Sequence, residues 1–554
     1  MKFPKHFFSA IVALLFVAGI NDVRAVTLYW KGNGSNFDNG YGSWAPAGGG
    51  GWYWNPAGND LVFEAAGGTP QILNNNTASW SSYTLKFASS AGNYTINGNP
   101  ILLMGTTSIQ NDSSSTQTIN TVLSANNGAR EINPVSGNLM IAGANFYLGT
   151  GVGGEIRVWG NTGKTLTLNT VVSENGNLSI QENSTVILQK NNTYSGPTFI
   201  HAGVLQIENN ASVGAGSINM GGTNLAANSS QANALYLGAN GSSGGINNTN
   251  AINVYSAGGT TTLGSLNTSG VNTNSGSLTL NRGITVDAAS GGTLQFSGLI
   301  SGNGGITKSG AGTVILTGAN NYSGATAVNA GLLKVVSGGS IASSSTTVND
   351  GGALDVGGTA GSVQVNSGGL LKGSGSAGAV TLQSGSLLNP GNSPGTLTAA
   401  SAVILGGSTY NWEISALTGT AGTTWDLFSV GGLLNMSDVT SANRWNLVVT
   451  GDSGFAGWTD TSSYSYVFAQ AASVSGFSPT VGTDVTSLFN ITTSGISSVP
   501  NSSFNPTGDF KVVVGSANGF TTLNLMAVPE PSSGSLLLAG IGSLIVLRRF
   551  RKKA

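Results

Sequence analysis

Cleavage of a polysaccharide by acid/base chemistry needs two or three carboxylates brought within about 5 to 10 Å of one another. Cation binding by oxygen ligands needs a similar convergence. With only 21 acidic residues in 554, the candidate pairs are few. Asp350 lies five residues before Asp355, Glu174 lies eight before Glu182, and Asp452 lies eight before Asp460. Asp350 and Asp355 flank one turn and are expected to share a face. The alternative role for such sparse acids is solubility and protection against edge-to-edge pairing. Between the two ends of the chain the sequence holds a single histidine, His201, in "TFIHAGVL". A Ser-His-Asp triad would have to use it, and no serine is read as the nucleophile of a G-x-S-x-G elbow. A polar residue at a turn is the plainer role for His201. There is no H-E-x-x-H, no P-loop and no calcium nonapeptide run, so neither a cofactor nor a metal is expected. Aromatic side chains are a second source of chemistry. Five of the ten tryptophans, Trp30, Trp44, Trp52, Trp54 and Trp80, fall in one short stretch. Exposed, they would stack on sugar rings; buried, they would pack a cap.

The scaffold for these residues is legible in the composition. Gly accounts for 85 residues, charged residues for 7% and hydrophobic ones for 39%, and there is no Cys. The low charge is far from the average of about 25%. Small apolar and polar residues dominate, which favours strands and turns over helices. Without Cys, no disulfide or thiolate site is available.

The chain repeats itself. "STVILQKNNTYSGPTFIHAGVLQI" (184–207) aligns without gaps on "GTVILTGANNYSGATAVNAGLLKV" (312–335) at an offset of 128, and the register extends back to 163 and 291. A shorter period runs on from Val328. Apolar strands restart at Val348, Val365 and Leu382, at spacings of 20, 17 and 17. One strand–turn–strand unit of this size cannot bury its own apolar face, whereas a stack of them can. The expected fold is therefore all-β: a right-handed parallel β-solenoid over residues 101–400, an N-terminal β cap over 26–100, and a small β-rich unit over 401–527, either a sandwich or the solenoid's C-terminal cap. The phrase GxTxxLTGxNxYSGxTxVxxGxLxV resembles the autotransporter-associated β-strand repeat of secreted passenger regions. "LNPGNSPGTLT" (388–398) and "WNPAGNDLVF" (54–63) resemble segments near the end and the start of such arrays. No C-terminal outer-membrane barrel is recognisable, so self-transport is not inferred.

Both ends read as addresses. Lys2 and Lys5 precede an apolar run over 7–20, and "VRA" ends at Ala25, which predicts a signal peptide (1–25) cleaved between Ala25 and Val26. At the other end an uncharged apolar run (534–547) is followed at once by Arg548, Arg549, Arg551, Lys552 and Lys553. As a single transmembrane helix it would span about 21 Å, with its basic end on the cytoplasmic side. The Pro529-Glu530-Pro531 turn before it cannot be helical. Residues 528–554 resemble the PEP-CTERM sorting signal of Gram-negative bacteria. That resemblance implies recognition by exosortase, a membrane-embedded cysteine protease. It also implies transient anchoring in the inner membrane and delivery to the cell surface or extracellular matrix. Eight of the 20 basic residues lie in the two ends, so the body between them is acidic, which disfavours a nucleic-acid partner. The expected function is a structural or adhesive component that contacts polysaccharide or neighbouring surface proteins. A polysaccharide lyase or hydrolase on the same scaffold is the alternative.

Overall fold

A computed structural model describes residues 27–30, 44–46, 59–64, 71–75, 80–125, 128–149, 154–210, 213–222, 231–451, 463–494 and 510–527. The chain divides into two compact units, 1–198 and 199–554. Both are all-β. The described residues contain one short 3-10 turn, Thr486–Leu488, and no helix long and apolar enough to cross a membrane. The expected signal peptide and the apolar run 534–547 lie outside the described residues.

In the first unit each turn of the chain lays down three short strands, and each strand pairs in parallel with its counterpart one turn on. Alternate residues point inward, so the inward side chains form ladders. One ladder runs Ile96, Ile119, Ile141, Leu168, Leu188. A second runs Ile101, Leu123, Phe146, Val172, and a third Ile109, Ile132, Val158, Ile180. All of these side chains are buried. Near the start, Thr27–Trp30 pairs in parallel with Asn59–Phe63 and antiparallel with Trp44–Pro46. Phe63, Phe87 and Tyr94 cluster behind them, Phe63 stacking on Phe87 at 4.9 Å.

The second unit repeats this connectivity, that of a parallel β-solenoid. One inward ladder reads Leu235, Leu263, Val286, Lys308, Val328, Val348, Val365, Leu382, Ile404. The sequence spacings of 20, 17 and 17 between Val328, Val348, Val365 and Leu382 are thus the lengths of successive turns. Lys308 interrupts the aliphatic column. Its Nζ donates to the carbonyls of Ser309 (2.7 Å), Gly310 (2.8 Å) and Ala330 (3.0 Å), which satisfies all three of its protons. Burial pulls its pKa down to about 8. The parallel pairing does not stop at residue 400. Thr396–Ile404, Leu427–Asn435 and Tyr464–Ser475 follow on one face, and Thr409–Ile414, Trp445–Gly451 and Phe489–Ser494 on another. Only then does the direction change: Phe520–Ala527 pairs antiparallel with both Tyr464–Ser475 and Phe510–Ala517. The larger tryptophans fill these wider last turns, with Trp412 and Trp445 fully buried.

The duplicated phrase has a mechanical meaning. Asn192 accepts the Val172 amide at 2.7 Å, and Asn320, 128 residues on, accepts the Ile300 amide at 2.9 Å. The Tyr194 hydroxyl bonds Thr198 at 2.6 Å and the Tyr322 hydroxyl bonds Thr326 at 2.7 Å. The Asn and the Tyr of N-x-Y-S-G-x-T therefore hold a corner where no strand offers a partner for a buried amide. That corner needs a left-handed residue. Gly302 supplies it in the second copy (φ +105°), and Glu174 occupies it in the first (φ +80°).

Candidate functional site

The sheet does not bring the sequence-predicted acid pairs together. Asp350 is exposed on a turn, whereas Asp355 lies in the following strand, Gly352–Val356, about 10 Å from its start at some 3.3 Å per residue. Asp355 is only 2% exposed and stands in register between Lys334 and Lys372, its Oδ2 3.5 Å from Lys334 Nζ. It is a structural ion-pair member. Glu174 and Glu182 occupy different corners of one turn, on either side of Asn177–Ile180. Asp452 and Asp460 lie outside the described residues. His201 is 6% exposed and stacks on Phe199 at 5.6 Å, which fits packing better than catalysis. Trp30 is buried; Trp52 and Trp54 lie outside the described residues. So do Ala25, Val26, Pro529, Glu530, Pro531, Arg548, Arg549 and Arg551.

A polar concavity lies elsewhere, around the turn Pro390-Gly391-Asn392-Ser393-Pro394-Gly395. It is a cleft of about 400 Å³, and Lys372, Asn411, Glu413 and Asp426 also line it. Three strands build it: Leu370–Gly373, Leu387–Pro390 and Thr409–Ile414 are successive turns of one face. The Gly391 amide bonds the Gly373 carbonyl at 2.8 Å, turning the chain out of the sheet. Asp426, 2% exposed, pins the turn: its Oδ1 accepts the Gly395 amide at 2.8 Å and its Oδ2 the Glu413 amide at 3.0 Å. The Trp412 indole donates to the Asp426 carbonyl at 2.7 Å. Burial, opposed by these two amides and reinforced by the charge of Glu413, pushes the Asp426 carboxyl up to about 7. Ser393, exposed and at φ +93°, donates to Glu413 Oε1 at 3.0 Å. Asn411 donates to Asn389 at 2.8 Å.

Sequence reasoning passed over this constellation although its letters were visible. Gly391-Asn392-Ser393-Pro394-Gly395 spells G-x-S-x-G, and the serine is strained, exposed and bonded to a carboxylate that neighbours a second, pKa-shifted one. Such pairs are where acid/base chemistry is sought. Three observations argue against a serine nucleophile here. The residue after the serine is Pro394, which has no N–H, so the usual oxyanion donor of an elbow is missing. The turn joins strand to strand, not strand to helix. Asp426 spends both carboxylate oxygens on backbone amides and is only 2% exposed. The arrangement is built to hold a turn and to present polar groups. A second concavity, of about 600 Å³, lies on the outer face of the first unit, where Lys86 pairs with Asp112 at 3.0 Å beside Asp60 and Glu64.

Comparison with known proteins agrees with the repeat reading. A family model described as passenger-associated-transport-repeat matches residues 183–207 and 306–335. One described as PEP-CTERM protein-sorting motif matches residues 527–552. The chain is also 27% identical over 289 residues to the Adhesin BmaC autotransporter of Brucella suis biovar 1 (strain 1330), covering 39% of this chain and 8% of that protein. The chain thus spans less than a tenth of this relative's length. It carries two passenger-type repeats and a PEP-CTERM sorting motif. Together these imply export to the cell surface or extracellular space of a Gram-negative bacterium, and the motif implies recognition by an exosortase-type enzyme.

Proposed function

We propose that this protein, with its passenger-type repeats and sorting motif, is a non-enzymatic structural or adhesive component of the cell surface or exopolysaccharide matrix. The observation that carries the reading is the pairing of a sorting motif at 527–552 with stacked parallel turns whose outer faces are laced by amide ladders. Asn349 donates to Asn329, and Asn366 to Asn349, each at 2.7 Å. Asn490 donates to Asn446 at 3.0 Å. Rows of this kind offer repeated donors and acceptors to a polymer lying across the turns. The coil is right-handed, as parallel crossovers nearly always are. In this account Ala25–Val26 is the export cleavage site. Residues 534–547 form a short transmembrane helix, Arg548, Arg549 and Arg551 hold its cytoplasmic end, and Pro529-Glu530-Pro531 is the segment presented to the sorting protease. The adhesin likeness supports the adhesive role and is confined to part of both chains. The separation of Asp350 from Asp355, and the commitment of both Asp426 oxygens to backbone amides, weigh against a lyase or hydrolase.

The test compares wild-type cells with cells lacking the protein for attachment and for matrix polysaccharide retained on the cell surface. Loss of either, restored by the wild-type chain and not through any change in polysaccharide length, supports the proposal. Shortened polysaccharide in the presence of the purified protein would instead favour an enzyme.

A further inference from the structure

The cleft beside Pro390 contains one cation that has no bonded partner among the described residues. Asn389 is engaged by Asn411, Glu413 by Ser393, and Asp426 by two backbone amides. Lys372 lines the same cleft and makes no hydrogen bond or ion pair among the described residues. In sheet register it stands between Asp355 and Asn389, but Asp355 turns its Oδ2 to Lys334 on the other side. A half-buried lysine without a partner, in a concave polar surface, is the group that a ligand anion would neutralise with a charge-assisted bond.

The rest of the lining sets the class of ligand. Asn392 and Ser393 are exposed, and with Asn411 they supply neutral donors and acceptors of the kind that read hydroxyl groups. Glu413 has engaged only Oε1, so Oε2 remains to accept a further hydroxyl. Trp412 is fully buried and offers no ring face, so recognition falls to hydrogen bonds and charge and not to stacking. The volume, about 400 Å³, lies within the range of roughly 300 to 1,000 Å³ typical of small-ligand sites. The strained turn that carries Ser393 is fixed in advance by Asp426, so little ordering is left for a ligand to drive.

We propose that this cleft binds a carboxylated sugar unit of an acidic polysaccharide, with Lys372 as the partner of its carboxylate and Asn392, Ser393, Asn411 and Glu413 engaging its hydroxyls. The proposal rests on the matrix reading above for the source of the glycan. The test titrates the full exported chain by calorimetry with an oligoglucuronate and with an uncharged glucan oligomer of equal length, using wild type, Lys372→Gln and Lys334→Gln. Thermal unfolding is read first for both variants, so that binding is compared only between folded proteins. The expected result is saturable binding of the acidic oligomer, weakened about tenfold or more by Lys372→Gln, as befits loss of one charge-assisted bond. Lys334→Gln weakens it less than Lys372→Gln does, since it acts only by leaving Asp355 to draw on Lys372. Equal binding of acidic and neutral oligomers, indifference to Lys372→Gln, or no binding of either oligomer would overturn the assignment. If that happens while cells still need the protein for attachment, the cleft assignment falls alone. If attachment is also independent of the protein, the adhesive reading falls with it.

Discussion

Replacing Asp426 by Asn fixes the carboxyl in a neutral, near-isosteric form, and the structure sets how stability must respond. The ordinary carboxyl pKa of 3.8 rises to about 7 on folding. A carboxyl raised in this way stabilises the folded state fully below about pH 4, where both states bind the proton. That stability is lost as pH rises toward 7, because the unfolded chain ionises first. The rise corresponds to roughly 4 kcal/mol at 1.36 kcal/mol per factor of ten. Asp426→Asn does not titrate, so its stability relative to wild type improves by about this amount between pH 4 and pH 8. A constant offset of about 1–2 kcal/mol runs against it, since Asn Nδ2 cannot accept the Glu413 amide that Oδ2 accepts. Glu413 and Lys372 are the other charged groups of the cleft; the repulsion between Glu413 and ionised Asp426 is part of the wild-type loss and is absent from the variant. Burial holds the Tyr410 hydroxyl well above its ordinary 10, so it stays protonated throughout. Solenoids open turn by turn, so the assay is denaturant-dependent hydrogen exchange at the Leu427 amide, which bonds the Gly395 carbonyl at 2.9 Å. Parallel pH profiles for the two proteins would refute the reasoning. So would a uniform loss of protection in the variant at every pH, which would mean that the turn needs the charge.

Further outcomes follow from particular residues. Glu174→Gly should stabilise the first unit by about 1 kcal/mol, because a non-glycine residue at φ +80° carries a left-handed penalty of roughly that size; hydrogen exchange at the Ser195 amide, which bonds the Glu174 carbonyl at 2.8 Å, reads it. Asn320→Ala should cost about 1–3 kcal/mol by stranding the Ile300 amide, and urea melts of the two proteins measure it. Replacing Pro529, Glu530 and Pro531 together by Ala should leave the full-length chain in the inner-membrane fraction, as an immunoblot of fractionated cells will show.

The repeat was the most legible feature, because a ladder partner one turn away appears in the sequence as a fixed spacing. The aliphatic positions Val328, Val348, Val365 and Leu382 carry the turn length in their spacing alone. Within N-x-Y-S-G-x-T, however, the sequence could show only that Asn and Tyr recur, not that they hold a buried amide and a threonine. Residues 401–494 were harder to read, since turns there lengthen and tryptophan replaces valine in the core, which hides the period although the pairing stays parallel. The cleft was missed for a different reason. Lys372, Ser393, Glu413 and Asp426 are separated by 21, 20 and 13 positions, and only stacking of the turns brings them together. Asp350 and Asp355, close in sequence, were separated because one sits on a turn and the other well inside the strand that follows it. The G-x-S-x-G letters were available, and the proline after the serine was the residue that gave them their meaning.

The measurement that bears most directly on the surface-sorting claim is the intact mass of the native protein in each cell fraction of its own host. The account predicts a chain that begins at Val26, has lost the segment after about residue 528, and is found in the surface or medium fraction. A chain that keeps its full C-terminal segment and stays in the inner membrane would contradict it.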